Sequence, residues 1–247
     1  MPFLDVCFTP ELLPLFDLKG KAAVVVDVLR ATSSMVTAFA HGVQEIVPVS
    51  TLEECKALKK KGYLTAAERD GLKAEGFDLG NSPFSFMTEV MAGQKLAITT
   101  TNGTHAIRLS LGADGVVVGA FLNITAMANY LKQLEKDVVV VCAGWKGAFN
   151  LEDTLFAGAL MEELQDTFQA ESDAALAAWR LHESAKGDML HYLSLSSHVR
   201  RLAKIQIIKD VEFCLQEDLY QVLPVWQEGR LVSLQPEEVD LLAERAE

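Results

Sequence analysis

Short apolar runs and helix-period stripes take turns along most of the chain. Residues 3–8 alternate loosely and read as a first strand, stopped by Thr9-Pro10. Residues 22–28 form an apolar, β-branched run, the pattern of a strand covered on both faces. Met35, Val36, Phe39 and Ala40 make the stripe of a helix over about 33–41, ended by Gly42. A strand at 44–49 follows. Ser50 or Thr51 with Glu53-Glu54 then opens a helix that Gly62 closes, and 63–67 is a short strand. From Glu68 to Pro83 the periodicity stops, in a polar loop around Leu72-Lys73. A loop of that length is functional or disordered, and Phe77, Phe84 and Phe86 argue for an ordered one. Beyond it the pattern predicts helices at 83–91, 105–111 and 125–134, and strands at 95–99, 115–119 and 137–142. Asn150 caps a helix over 151–167. Residues 172–219 read as helical throughout, with breaks at Ser196 and Ser197. Residues 220–226 and 230–234 read as a closing hairpin across Glu228-Gly229, and 236–247 as an acidic surface tail. Alternating strands and helices predict one α/β domain over 1–247, with a mainly parallel sheet and helices on both faces.

Composition narrows the partners. Half of the 247 residues are hydrophobic, which supplies a full core, and the formal net charge is −12. That charge argues against nucleic acid or an anionic membrane as partner, both of which need clustered positive charge. It leaves room for a small anion held by a few buried cations. Cys7, Cys55, Cys142 and Cys214 are far apart and make no C-x-x-C pair, so neither zinc nor a disulfide framework is expected and a reduced, cytoplasmic setting fits. No basic-then-apolar leader opens the sequence, and no apolar run reaches the roughly 18 residues of a membrane span. The oligomeric state is not readable, a homodimer being one candidate.

Three predicted strands end alike: 22–28 runs into Arg30-Ala-Thr-Ser, 95–99 into Thr-Thr-Asn-Gly-Thr, and 137–142 into Ala-Gly-Trp-Lys-Gly. If these strands are parallel, the three turns lie along one sheet edge, where open α/β sheets bind ligands. Asp27 and Arg30 could form a metal-and-anion site there, with Thr32, Ser33 or Ser34 at a helix start, or simply pair with each other and cap the helix. Thr100, Thr101, Asn102, Gly103 and Thr104 could cradle phosphate or sulfonate oxygens, or be an ordinary Asn-Gly turn. Glu152 and Asp153 either complement a helix dipole or hold a hard cation, with Asp27, Glu68 and Asp78 as further ligands from other loops. Arg30, Arg69 and Lys146 are the expected cleft cations, against a reading as surface ion pairs. His105, beside the threonine turn, is the histidine most open to a role in proton transfer. Asp210 or Asp218 either ends an amphipathic helix or returns to the cleft.

Several phosphate chemistries are excluded. There is no G-x-x-x-x-G-K-[ST] and no G-x-G-x-x-G opening a helix. Asp27 is followed two residues later by Leu29, not by a second aspartate. No cysteine has an arginine six residues on, and His41-Gly42 lacks a preceding arginine.

Taken together, Asp27-Val-Leu-Arg-Ala-Thr-Ser, Glu68-Arg-Asp-Gly, Gly76-Phe-Asp-Leu-Gly-Asn-Ser-Pro83, Thr99-Thr-Thr-Asn-Gly-Thr104, Ala143-Gly with Leu151-Glu-Asp153, and Asp210-Val-Glu-Phe-Cys214 resemble the 2-phosphosulfolactate phosphatases. They occur in order over nearly the whole chain. The resemblance implies a three-layer α/β/α fold with a mixed, largely parallel sheet. It implies a Mg²⁺-dependent hydrolase converting 2-phospho-3-sulfolactate to 3-sulfolactate and phosphate, as in coenzyme M biosynthesis. Within it, Mg²⁺ would be held by some of Asp27, Glu68, Asp78, Glu152 and Asp153. Arg30 and Arg69 would bind phosphoryl oxygens, and Thr32, Ser33, Asn81, Ser82, the threonine turn and Lys146 would hold the anion. Water attack on phosphorus is the expected route, with a covalent aspartyl-phosphate at Asp27 as the alternative. Two other readings remain open: a non-catalytic small-anion-binding protein on the same fold, and a phosphatase for a different phosphorylated acid.

Overall fold

A computed structural model describes residues 1–234; the acidic tail expected at 236–247 lies outside the described residues. The strands are β1 (Phe3–Cys7), β2 (Ala22–Val26), β3 (Glu45–Pro48), β4 (Leu64–Arg69), β5 (Leu72–Lys73), β6 (Lys95–Thr99), β7 (Gly115–Gly119), β8 (Val138–Cys142), β9 (Gln169–Ala170), β10 (Leu223–Gln227) and β11 (Arg230–Leu234). The helices are α1 (Ala31–Ala40), α2 (Leu52–Lys59), α3 (Gly103–Leu109), α4 (Ile124–Leu134), α5 (Leu151–Leu164), α6 (Asp173–Ala185), α7 (Met189–Ser194), α8 (Ser197–Lys204) and α9 (Ile208–Cys214). Together they make a mixed, mostly parallel sheet between helices, a three-layer α/β fold.

The sheet runs β5-β4-β6-β3-β11-β10-β7-β2-β8-β1-β9. β4, β6 and β3 are mutually parallel, as are β7, β2, β8, β1 and β9. The hairpin β10–β11 sits between these blocks and pairs antiparallel on both sides, at Val225↔Val117 and Leu231↔Ile46. A closing hairpin was expected; its place in the middle of the sheet was not. Because it reverses polarity, β6 does not share a parallel edge with β2 and β8. The turns after them meet all the same. Gly103, just after β6, lies against the carboxylate of Asp27, just after β2.

The wholly apolar strands behave as patterned. Val24, Val26 and Val140 face the core under α4, α5 and α6, whereas Val25, Val139 and Val141 face the core under α1 and α3. Alternate side chains point to opposite faces, so a strand buried on both must be apolar throughout.

Local departures have local causes. The 83–91 segment forms two short 3₁₀ turns, Pro83–Phe86 and Glu89–Met91, because Pro83 opens the first and Thr88, in extended backbone, interrupts the run. The supposed loop at 68–73 is a tight hairpin, β4 turning into β5 through Asp70 (φ 54°) and Gly71 (φ 87°); Asp-Gly suits this two-residue turn. The 172–219 stretch is four short helices, α6 to α9, and an irregular tail rather than one run.

Candidate active site

Asp27 follows β2 and is 7% exposed. Its placement comes from the turn rather than from a capping side chain. Its backbone N–H donates to Thr32 Oγ1 at 3.0 Å, and its carboxylate accepts the Ala31 N–H at 3.3 Å. Ser33 Oγ donates to Val28 O at 2.8 Å. α1 thus starts at Ala31, two residues before the sequence reading, and Thr32 and Ser33 bind the turn's backbone instead of capping the helix. Gly103, the first residue of α3, lies directly against this carboxylate: a Cβ there would sit 2.8 Å from Asp27 Oδ2 and 2.6 Å from Ala31 Cβ.

Asp27 and Arg30 do not pair. Arg30 Nη1 meets Asp210 on α9, and Nη2 donates to Gly71 O at 2.6 Å. Of the two late aspartates, Asp210 therefore returns to the cleft. Asp218 accepts from Thr125 N and Oγ1 at the start of α4 instead. Glu68, at the end of β4, accepts the Gly71 N–H and the Thr101 hydroxyl, the latter at 3.3 Å. This bond joins the β4 turn to the β6 turn. Arg69 donates to Glu68 O at 2.6 Å and reaches Thr99 Oγ1 at 3.5 Å, so it braces the same junction.

Asp27, Arg30 and Glu68 line a small pocket together with Asn81, Asn102, Trp145, His198 and Arg201. Burial pushes the Asp27 carboxyl up to about 6, against the pull of nearby His198 and the Ala31 N–H. Oxygens able to take a hard cation here are those of Asp27, Glu68 and Asn81. Asp27 forms no ion pair among the described residues, and Asn81 Oδ1 is buried without a hydrogen-bond partner. Among the described residues no group of three or more His, Cys, Asp or Glu side chains converges as a metal cage.

Other expected site residues have different work. Asp153 is fully buried and welds two turns together: it accepts from Val28 N at 2.8 Å, Gly144 N at 3.1 Å and Asn150 Nδ2 at 2.8 Å. With its oxygens engaged by N–H groups it acts as a strut between these turns. Glu152, equally buried, accepts from Asn150 Nδ2 and contacts His198 Nδ1. Asp78 turns to Lys59 and to the Thr65 N–H and hydroxyl; their hydrogen bonds outweigh burial and hold its carboxyl below the usual range. It does not line the cavity. Thr100 and Thr104 order the turn: the Thr104 hydroxyl accepts from Thr100 N and donates to Thr100 O, and the Thr100 hydroxyl accepts from Thr104 N. Lys146 is exposed and pairs loosely with Asp70 at 3.4 Å, a contact worth roughly 0–1 kcal/mol. Ser82 precedes a 3₁₀ turn without capping it. His105 is exposed on α3.

Sequence reasoning missed Trp145, His198 and Arg201. His198 is 6% exposed, with its ring 5.4 Å from that of Trp145, and the Arg201 guanidinium lies over the Trp145 ring at 3.7 Å from its centroid. The available signal was spacing. His198, Arg201, Leu202 and Ile205 recur at i, i+3, i+4 and i+7, one helix face, and all four line the cavity.

Residues 7–229 match the family described as 2-phosphosulpholactate phosphatase. The chain belongs to that family. A protein of Thermotoga petrophila named probable 2-phosphosulfolactate phosphatase is 41% identical over 216 residues, covering 87% of this chain and 93% of its own length. Another so named, from Caldanaerobacter subterraneus, is 39% identical over 86% of this chain and 90% of its own. A third, from Pseudothermotoga lettingae, is 38% identical over 94% of this chain and 100% of its own. As a 2-phosphosulfolactate phosphatase family member the chain is a phosphoric monoester hydrolase. All four of its cysteines are free and buried, and no helix among the described residues is long and apolar enough to cross a membrane.

Proposed function

We propose that this phosphatase hydrolyses 2-phospho-3-sulfolactate, or a closely related phosphorylated 2-hydroxy acid, giving 3-sulfolactate and phosphate with Mg²⁺ as cofactor. The relatives' names support the substrate. The observation that carries the reading is the pocket's lining, in which the carboxylates of Asp27 and Glu68 stand with the guanidinium groups of Arg30 and Arg201. Magnesium fits the donor set, because one or two carboxylates and a neutral oxygen suffice for an ion that keeps several waters. Asp27, Glu68 and the orphan Asn81 Oδ1 supply hard oxygens of that kind. When bound, Mg²⁺ would polarise the phosphoryl oxygens and offset their charge.

The chain's own groups do the rest. The Asp27 carboxylate takes a proton from the attacking water. Arg30, immobilised by Asp210 and Gly71 O, sets fixed positive charge against the phosphoryl oxygens. His198, whose Nδ1 is engaged by Glu152, leaves Nε2 to protonate the departing ester oxygen. Asp153, Arg69 and Gly103 act by holding these groups in place.

Phosphate release should be assayed over a panel of phosphorylated 2-hydroxy acids with Mg²⁺ and with EDTA. The proposal predicts Mg²⁺-dependent release with highest kcat/KM for 2-phospho-3-sulfolactate or a near analogue. Tight binding of these acids without turnover would make the chain an anion-binding member instead.

A further inference from the structure

The phosphoryl chemistry proposed above uses Asp27, Arg30, Glu68 and His198, and leaves Trp145 and the rest of the α8 face, Arg201, Leu202 and Ile205, without a role in the pocket they also line. Leu202 and Ile205 seat this helix on the β4–β5 turn: a Cβ on Gly71 would lie 2.8 Å from Ile205 Cδ1 and 3.7 Å from Leu202 Cδ2. Arg201 is thereby fixed over the Trp145 ring at 3.7 Å, a cation–π stack that orders the side chain before any ligand arrives.

The two cavity arginines are not equivalent. Arg30 spends Nη1 on Asp210 and Nη2 on Gly71 O. Arg201 forms no ion pair among the described residues, and its Nη2 is buried without a hydrogen-bond partner. Glu152, Asp70 and Glu68 act on it only through space. A buried guanidinium N–H left unpaired is costly, and a planar fork of donors matches a carboxylate or sulfonate. A phosphorylated 2-hydroxy acid carries such a group beyond the phosphate.

We propose that Arg201, stacked on Trp145, binds the acid group of the substrate that is not transferred and so sets the preference for acid-tailed phosphate esters. This rests on the phosphatase reading above. Phosphate lies toward Asp27, Glu68 and Arg30, and the acid tail toward α8.

The test compares wild type, Arg201→Met and Arg201→Lys, with Arg201→Gln as a second neutral variant should the Met protein fail to fold. kcat/KM is measured with Mg²⁺ for 2-phospho-3-sulfolactate, 2-phospholactate and glycerol 2-phosphate, a secondary ester without an acid tail. In Arg201→Met the ratio of acid-tailed to neutral-tailed kcat/KM falls on the order of 10²-fold, and Lys restores part of it. A fall for both acids assigns Arg201 to the carboxylate; a fall for sulfolactate alone assigns it to the sulfonate. A ratio unchanged within about threefold, or equal losses on all three esters, overturns the proposal. Calorimetric binding of 3-sulfolactate gives an independent arm, with Kd rising on the order of 10²-fold in Arg201→Met. If wild type hydrolyses none of the esters yet binds 3-sulfolactate through Arg201, the phosphatase reading fails and the recognition site stands.

Discussion

Glu152 and Asp153 are neighbours in sequence, equally buried and differently employed. Asp153 accepts three N–H groups from two turns, and Glu152 faces the α8 histidine. Asp153→Asn would set an NH₂ group against at least one of those donors and lose its bond. A destabilisation of roughly 1–3 kcal/mol is expected, read as a lower denaturant midpoint. Gly103→Ala makes a different prediction: its methyl would fall within 2.8 Å of Asp27 Oδ2 and 2.6 Å of Ala31 Cβ. Activity should drop at least tenfold, with a smaller proportionate loss of stability. A fully active Gly103→Ala protein would mean that the position of Asp27 matters little. The cysteines should be silent. Burial pushes the Cys7 and Cys214 thiols up to about 12 and Cys55 up to about 11, so a thiol reagent should titrate almost none in the native chain and all four after unfolding.

Among the elements, legibility followed locality. Asp27, Arg30 and Glu68 could be read because each stands where an apolar run gives way to turn residues. The β2 and β8 strands could be read because burial on both faces leaves no polar position. Trp145, His198 and Arg201 could not: a histidine and an arginine on a short amphipathic helix look like surface until α8 is docked. His105, singled out for its nearness in sequence to the threonine turn, is exposed on α3 and does not line the pocket. The Asp70-Gly71 hairpin was hidden by the brevity of β5, a strand of two residues, yet it carries α8. Gly71 holds φ 87° and has Ile205 Cδ1 where a side chain would go. Gly71→Val should therefore cost more than the roughly 1 kcal/mol of a left-handed glycine site. It should also raise KM by loosening α8, which steady-state kinetics would register.

At the scale of the molecule, the β10–β11 hairpin is the hinge of the whole design, although it comes last among the described elements. Its antiparallel pairing on both flanks joins two parallel blocks of opposite polarity, and the β6 and β4 turns still meet those of β2 and β8. Sequence pattern could supply the strands but not this order, since pairing across more than a hundred residues leaves no local trace. Truncation before Leu223 should expose the edges of β3 and β7 and yield an aggregating chain, visible by size-exclusion chromatography. The central claim is that this convergence builds a phosphatase site around Asp27. Its most direct test is phosphate release from 2-phospho-3-sulfolactate in Mg²⁺ by wild type and Asp27→Asn of equal thermal stability. The account predicts that kcat falls by at least about 10²-fold in the variant. Turnover within a few-fold of wild type would contradict it.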